Sequence, residues 1–406
     1  MEKYLIHGKG IYDPVSGRYC ANGLLVSIGN SDQGVGRILE RGEFKKLKAH
    51  YPECYVMDLK ELWILPGLIN THVHLEFNPE GDTFSVYRKE NSKKHIDRAI
   101  QAARKLLRSG VTGVRDAGSS MELICALKDR GDIPSIQFCG PPLTLPRGHL
   151  YFLGGEVQTE TEIQNAVQRR AKAGCGCVKL IASGGGLTPG SKPEQDTYTK
   201  EQMYMAVKEA HKLGLKIAAH CLTGTSAVHA IQAGVDSIEH AACFKNVSGC
   251  LMRVWEPELW SGLDKTKIKN VFLMPGISNT WDPNVAKCLQ AEIACRLKAM
   301  GMLLTVGTDA GCQNTFFEET WKEIWLLTEV CKLTEAEALY TATIQSAQAL
   351  GWEDVGGTSQ GYRADLIAVR EDPLSEFSGT WSILFLEEKW FFNEMFITGG
   401  IEDESI

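Results

Sequence analysis

The 406-residue chain lacks long apolar runs: no stretch reaches the roughly 20 consecutive apolar residues that a membrane helix needs, so no membrane partner is expected. Basic runs are missing too. The 43 Lys and Arg are outnumbered by 50 Asp and Glu, and the formal charge of −7 comes with no Lys/Arg stripe, which argues against nucleic acid and anionic membrane surfaces. Paired cysteines are also lacking. The 13 cysteines are an odd number, and Cys125, Cys139, Cys221, Cys288 and Cys295 are scattered through apolar segments without the spacing of a zinc ribbon or a disulfide scaffold. They suit a reducing compartment, and a cytoplasmic protein is expected. The one close pair, Cys175-Gly176-Cys177, could make a soft-metal or redox site, but the plainer reading turns one side chain into a strand core. The first residues, Met1-Glu2-Lys3-Tyr4-Leu5-Ile6, have no apolar signal core and read as the start of a strand.

With 44% hydrophobic and 23% charged residues, the chain can bury a large core as an ordinary globular protein. Residues 1–62 read as all-β, with short strand-like runs at Tyr4-Leu5-Ile6, Leu24-Leu25-Val26-Ser27-Ile28 and Cys54-Tyr55-Val56-Met57-Asp58 between Gly, Asp and Asn. Residues 361–406 repeat that texture in Ala364-Asp365-Leu366-Ile367-Ala368-Val369 and Leu384-Phe385-Leu386. The two ends are expected to form one composite β-sandwich domain. Between them, residues 63–360 alternate apolar strands (67–73, 111–116, 135–140, 177–182, 216–220, 236–240, 271–277 and 303–308) with amphipathic helices such as the one carrying Ala99, Ala103, Leu106 and Gly110, or Met203, Val207, Ala210 and Leu213. Eight such units predict an α/β fold, a (β/α)8 TIM barrel, whose chemistry sits at the C-terminal ends of the strands.

Those ends hold the informative residues. The first strand closes on His72-Val73-His74, and residues two apart on a strand project from one face, so two imidazoles can reach one cation. Asp309 follows the eighth strand, which neighbours the first in a closed barrel, and can join them. His220 ends the fifth strand and His240 the sixth; together they would hold a second cation. Each histidine alone is better read as a hydrogen-bonded core or surface residue, and the set together reverses that reading. Lys179 lies in the apolar run Cys177-Val178-Lys179-Leu180-Ile181-Ala182, where a charged amine is costly unless paired. Burial favours the neutral amine, which can take up carbon dioxide as a carbamate, an anionic ligand able to bridge two cations. The alternative is a lysine salt-bridged at the barrel mouth. His7, His50, His95, His211 and His229 lack such company.

The set His72-x-His74, Lys179, His220, His240 and Asp309, with Pro66-Gly67-Leu68 ahead of it and Gly361-x-x-Ala364-Asp365-Leu366 near the end, resembles the amidohydrolase superfamily. Val178-Lys179-x-x-Ala182-Ser183-Gly184-Gly185 and Ser237-Ile238-Glu239-His240 look like its imidazolonepropionase-related and prolidase-like branch. The resemblance implies a barrel with a β-sandwich and a binuclear, usually zinc, hydrolytic site, with carbon dioxide held as the Lys179 carbamate. Histidine and carboxylate ligands suit zinc without excluding manganese, iron or cobalt. Two cations would acidify a bridging water and polarise a carbonyl, and Asp309 would pass the proton to the leaving nitrogen.

The expected reaction is cleavage of a carboxamide C–N bond in a small molecule such as an N-acyl amino acid or a dipeptide. Loops after the strands offer Arg147 to clamp a substrate carboxylate, His149 to meet the carbonyl oxygen, and Tyr198 as a further contact, with Ser183-Gly184-Gly185-Gly186 as either a binding loop or a plain turn. One departure bears on specificity. Dipeptidase-like members of the branch often carry a tyrosine and an arginine just after the strand-five histidine, whereas this chain has Cys221-Leu222-Thr223-Gly224-Thr225. The long segment from Phe244 to Asn270, with Trp255 and Trp260, reads as a lid or a subunit contact, and a homo-oligomer is expected. Two other functions compete: a mononuclear deaminase of an aromatic heterocycle, which would need no bridging lysine, and a non-catalytic barrel serving as an assembly module, which would be expected to have lost some ligands.

Overall fold

The computed structural model describes residues 2–27, 36–279 and 285–375, with only the backbone for 285–288. Four strands come first: β1 (Lys3–Asp13), β2 (Arg18–Ser27), β3 (Ile38–Gly42) and β4 (Tyr55–Pro66). Eight further strands run parallel: β5 (Leu68–Val73), β6 (Val111–Asp116), β7 (Ser135–Phe138), β8 (Cys177–Ile181), β9 (Lys216–Cys221), β10 (Ser237–His240), β13 (Phe272–Met274) and β14 (Leu303–Leu304). Between β10 and β13 sits an antiparallel hairpin, β11 (Phe244–Val247) and β12 (Cys250–Arg253), and β15 (Leu366–Val369) comes last. All eight expected barrel strands are present, several of them shorter than their apolar runs.

They pair as one sheet in the order β5-β6-β7 and another in the order β14-β13-β10-β9-β8. Their edges meet at two places. Single parallel bridges join Val73 to Ala310 and Leu143 to Leu180, supported by Thr71 N donating to Val306 O and Leu143 N to Lys179 O, both at 2.8 Å. Thr305 N still donates to Leu273 O of β13 at 2.8 Å, and beyond it the chain turns to β5, with Val306 O accepting from Thr71 N and Asp309 N donating to His72 O at 2.9 Å.

Helices cover the outside, and local sequence starts and stops them. Asn91 caps the helix Ser92–Arg108 by accepting from Lys94 N, and Ala99, Ala102, Ala103 and Leu106 bury the stripe expected of an amphipathic helix. Thr159 and Glu162 form a capping box on Glu160–Ala173, which ends at Gly174 with φ 87°. Along β8, Val178 and Leu180 join the main apolar core while Cys177 packs with Cys139 and Ala218 in a separate small cluster. Lys179 therefore shares the face of Cys177, away from the helices. Cys175 and Cys177 are both buried, Cys175 in the main core, so each serves a different cluster rather than a shared redox or soft-metal site.

The chain ends meet in a five-stranded sheet of order β15-β4-β1-β2-β3. Its alternation is plain: Ile6, Leu24 and Val26 pack on one face with Ile38 and Ile64, Leu5 and Leu25 on the other with Leu47. Among the described residues this is a single sheet covered on one face by the helix Phe44–His50, not two stacked sheets; Leu384-Phe385-Leu386 lies outside them. Residues 244–270 form the β11/β12 hairpin followed by two short helices, Pro257–Ser261 and Lys265–Ile268. Trp255 stacks on Trp260 at 5.0 Å, with Trp260 buried in the main core, which anchors the base of the segment while Val247, Leu251 and Met252 of the hairpin are exposed.

Candidate metal centre

At the C-terminal ends of the parallel strands, ligand atoms of His72, His74 and Asp309 lie within 4.8 Å of one another. Asp309 Oδ1 is 3.3 Å from both His72 Nε2 and His74 Nε2. Lys179 Nζ stands 3.4 Å from His72 Nε2, and the His240 ring is 5.0 Å from the rings of both His72 and His220. Side chains from five of the eight units thus converge. His149 joins them, its ring 4.8 Å from that of His220. Lys179 and His72 are each 1% exposed, so the centre sits below the surface.

The proton positions follow from the partners. His74 Nδ1 faces Gly118 O at 3.2 Å and His220 Nε2 faces Gly184 O at 3.1 Å; a carbonyl only accepts, so each of those nitrogens donates. In the neutral rings that leaves the lone pair on His74 Nε2 and on His220 Nδ1. Burial lowers the pKa of His220, and it holds those of His149 and His240 down at about 3. Burial also lowers Lys179, while Glu239 opposes the shift and Arg115 adds to it. Burial alone would raise Asp309, but His72 and His74 bring it well below the usual carboxylate range, so the group is ionised.

Backbone strain is concentrated here. His240 and Asp309 have left-handed φ values of 70° and 62°, a conformation that costs a non-glycine residue of order 1–2 kcal/mol. Glycine makes room for the rings: a Cβ at Gly185 would sit 2.6 Å from His149 Cε1, and one at Gly307 3.0 Å from His72 Cβ. Within the Ser183–Gly186 run it is Gly185 that packs against His149.

The donor set fits divalent cations. Ligands about 2.1 Å from a tetrahedral ion lie about 3.4 Å from each other, close to the 3.3 Å observed between the two imidazoles and Asp309 Oδ1. Charge-assisted hydrogen bonds would be shorter, about 2.7–2.9 Å. Six side chains are also more than the four that one tetrahedral ion takes.

The expected substrate contacts divide. His149 is buried at the site with Nδ1 3.1 Å from Thr188 Oγ1. Arg147 is exposed, with a φ of 59° and its backbone N–H donated to Glu156. Tyr198 is a correction: its hydroxyl donates to Val157 O at 2.8 Å and its ring belongs to the main apolar core, so it braces the loop instead of facing the centre. At the departure after His220, Thr223 caps the helix Gly224–Ala233 and its hydroxyl donates to Asp196. Asp196 thus stands beside this departure.

Sequence reasoning did not single out four residues. Glu239 accepts from His72 Nδ1 at 2.5 Å and from Arg115 at 2.6 Å, with both partners buried. Asn279 donates to Asp309 Oδ2 at 2.6 Å and accepts from Thr315. Asp116 holds the turn after β5 by accepting from Leu75 N and Gly118 N. For Glu239 and Arg115 the signal was the same as for Lys179, a charge inside an apolar strand; for Asn279 and Asp116 there was none.

The family model described as "Amidohydrolase family" matches residues 63–384. Ochratoxinase from Aspergillus niger is 26% identical over 354 residues, covering 77% of this chain and 71% of that protein. Imidazolonepropionase from Deinococcus radiodurans is 25% identical over 192 residues, covering 46% and 43%. A solved Xaa-Pro dipeptidase with bound methionine superposes with a TM-score of 0.77 at 24% identity, covering 93% of this chain and 96% of that one.

Proposed function

The chain belongs to the amidohydrolase family and is a hydrolase acting on carbon–nitrogen bonds; from that premise we propose that it cleaves the carboxamide C–N bond of a small molecule, an N-acyl amino acid, a dipeptide or a related amide, at a pair of divalent cations. His72, His74 and Asp309 would hold one cation, His220 and His240 the other, and Lys179, as its carbamate, would bridge them. The observation that carries this reading is the buried Lys179 amine beside His72, within a set of four imidazoles and a carboxylate. Zinc is the ion that best suits such donors. The sheet made from residues 1–62 and 361–406 would form the smaller domain, and residues 63–360 a closed (β/α)8 barrel, a reading supported by the bridges at both sheet edges.

When bound, the cations would acidify a water and polarise the scissile carbonyl. The chain's own groups do the rest. Asp309 is ionised, with Oδ2 occupied by Asn279 and Oδ1 toward the imidazoles, so it can take a proton from the attacking water and return it to the leaving nitrogen. His149 stays neutral because it is buried; Thr188 engages its Nδ1, which leaves Nε2 to meet the carbonyl oxygen. Phe77, fully buried, stacks on His74 at 4.8 Å and keeps water from that side of the centre.

A hydrolysis screen tests the proposal, run on protein of measured metal content with N-acyl amino acids, dipeptides, lactams and amidated heterocycles. Release of a carboxylate and an amine in equal amounts from at least one carboxamide is expected. Ammonia from heterocycles, with no carboxamide cleaved, would replace it with the deaminase reading.

A further inference from the structure

Arg115, Ser237 and Glu239 form a buried polar chain under the candidate centre that the proposed reaction does not use. Arg115 donates from Nη2 to Glu239 Oε1 at 2.6 Å, from Nη1 to Ser237 Oγ at 3.1 Å and from Nε to Thr71 O at 2.8 Å. Ser237 Oγ donates to the same Oε1 at 2.7 Å, and Glu239 Oε2 accepts from His72 Nδ1 at 2.5 Å. Arg115 is 1% exposed and Glu239 fully buried. Stability is a weak reason for such a pair, because well-packed apolar residues can often replace a buried ion pair without loss.

Position gives a stronger reason. Glu239 and His240 are adjacent on β10, so regular alternation would send them to opposite faces. Both nevertheless reach the centre, because the chain turns left-handed at His240 and Ala241 (φ 70° and 50°), with Ala241 N closing on Glu239 O at 2.9 Å. One strand end thereby supplies an imidazole to one half of the centre and a carboxylate partner to the other half. That carboxylate meets the ring nitrogen of His72 that does not face Asp309.

We infer that Glu239, held by Arg115 and Ser237, is the positioning residue that fixes the His72 ring with its proton on Nδ1 and the Nε2 lone pair aimed at the cation position shared with His74 and Asp309. The assignment rests on the metal-centre reading above. A carboxylate can only accept at that nitrogen, and a guanidinium that never deprotonates in proteins supplies Glu239 with a fixed counter-charge. Outer partners of this kind orient metal-binding imidazoles and change cation affinity when lost.

The test uses the full chain and Zn2+ alone, in competition with a chromophoric chelator, with Co2+ absorption as a second readout. Glu239→Gln should weaken the tighter site by about 10–100-fold and shift the Co2+ bands, with circular dichroism unchanged. Glu239→Asp keeps the charge against Arg115 but withdraws the carboxylate by one methylene, so it should show a similar loss and stands in if Glu239→Gln does not fold. Wild-type affinity with an unchanged Co2+ spectrum in a folded variant overturns the inference. A wild-type chain that binds neither ion overturns the metal-centre reading instead, so the two failures are told apart.

Discussion

The two halves of the centre are built differently. Around His72, His74 and Asp309, each group is fixed by a partner behind it: Glu239 for His72, the Gly118 carbonyl for His74, Asn279 for Asp309. Around His220 and His240 the scaffold is sparser. His220 leans on the Gly184 carbonyl, and among the described residues no hydrogen bond of the His240 ring is recorded, so its direction rests on the left-handed turn of its own backbone. The first half is a preformed cluster of ligand atoms, and under the proposed two-cation reading the second half would depend on what joins it to the first. Lys179, 3.4 Å from His72 Nε2, is the group placed to make that link.

Removing the link should have the largest effect. Lys179→Ala is expected to lose metal and activity together, with turnover falling by more than about 10⁴-fold, beyond what a single acid or base contributes. A small added carboxylate should restore part of both by taking the bridging position. Normal metal content and turnover in Lys179→Arg, which keeps a charge but cannot form the carbamate, would show that the two halves do not need the link.

Next comes Asp309, to which the proposal gives both ligation and proton transfer. Asp309→Asn should slow kcat by about 10²–10⁴-fold while at least one cation stays bound, since four imidazoles and Lys179 remain. Side-by-side measurement of kcat and metal content decides it; near-normal turnover with metal bound would move the proton to His149. A smaller effect is expected from the partner behind it. Asn279→Ala frees Asp309 Oδ2, and a loss of activity of about tenfold, at the low end for an outer partner, should leave the metal count unchanged. No loss at all would mean that the first half owes its order to the imidazoles alone.

How much of this was legible in the sequence depends on what each residue type advertises. The eight parallel strands showed as apolar runs because both faces of such strands are covered, and the six candidate residues showed only as a set, since each histidine alone reads as a core or surface residue. Strand ends were less visible. The run 303–308 forms a strand only at Leu303–Leu304, because after Thr305 the chain turns to β5. Tyr198 was misread because loop position says nothing about side-chain direction: its ring fills the core and its hydroxyl finds Val157 O. For the expected sandwich, the described residues give one five-stranded sheet with a helix on one face, and Leu384-Phe385-Leu386 lies outside them. Asn279 was illegible, since nothing local marks an asparagine that reaches Asp309 from 30 positions away.

The central claim is that two unequal halves hold two cations, and metal stoichiometry tests it most directly. Elemental analysis of the full chain purified without chelator should give two equivalents of metal per chain, and graded chelation should remove them in two steps, the weaker one abolished in His240→Ala. A reproducible value near one equivalent, with full activity and a single step, would contradict the account and leave a mononuclear centre built on His72, His74 and Asp309 alone.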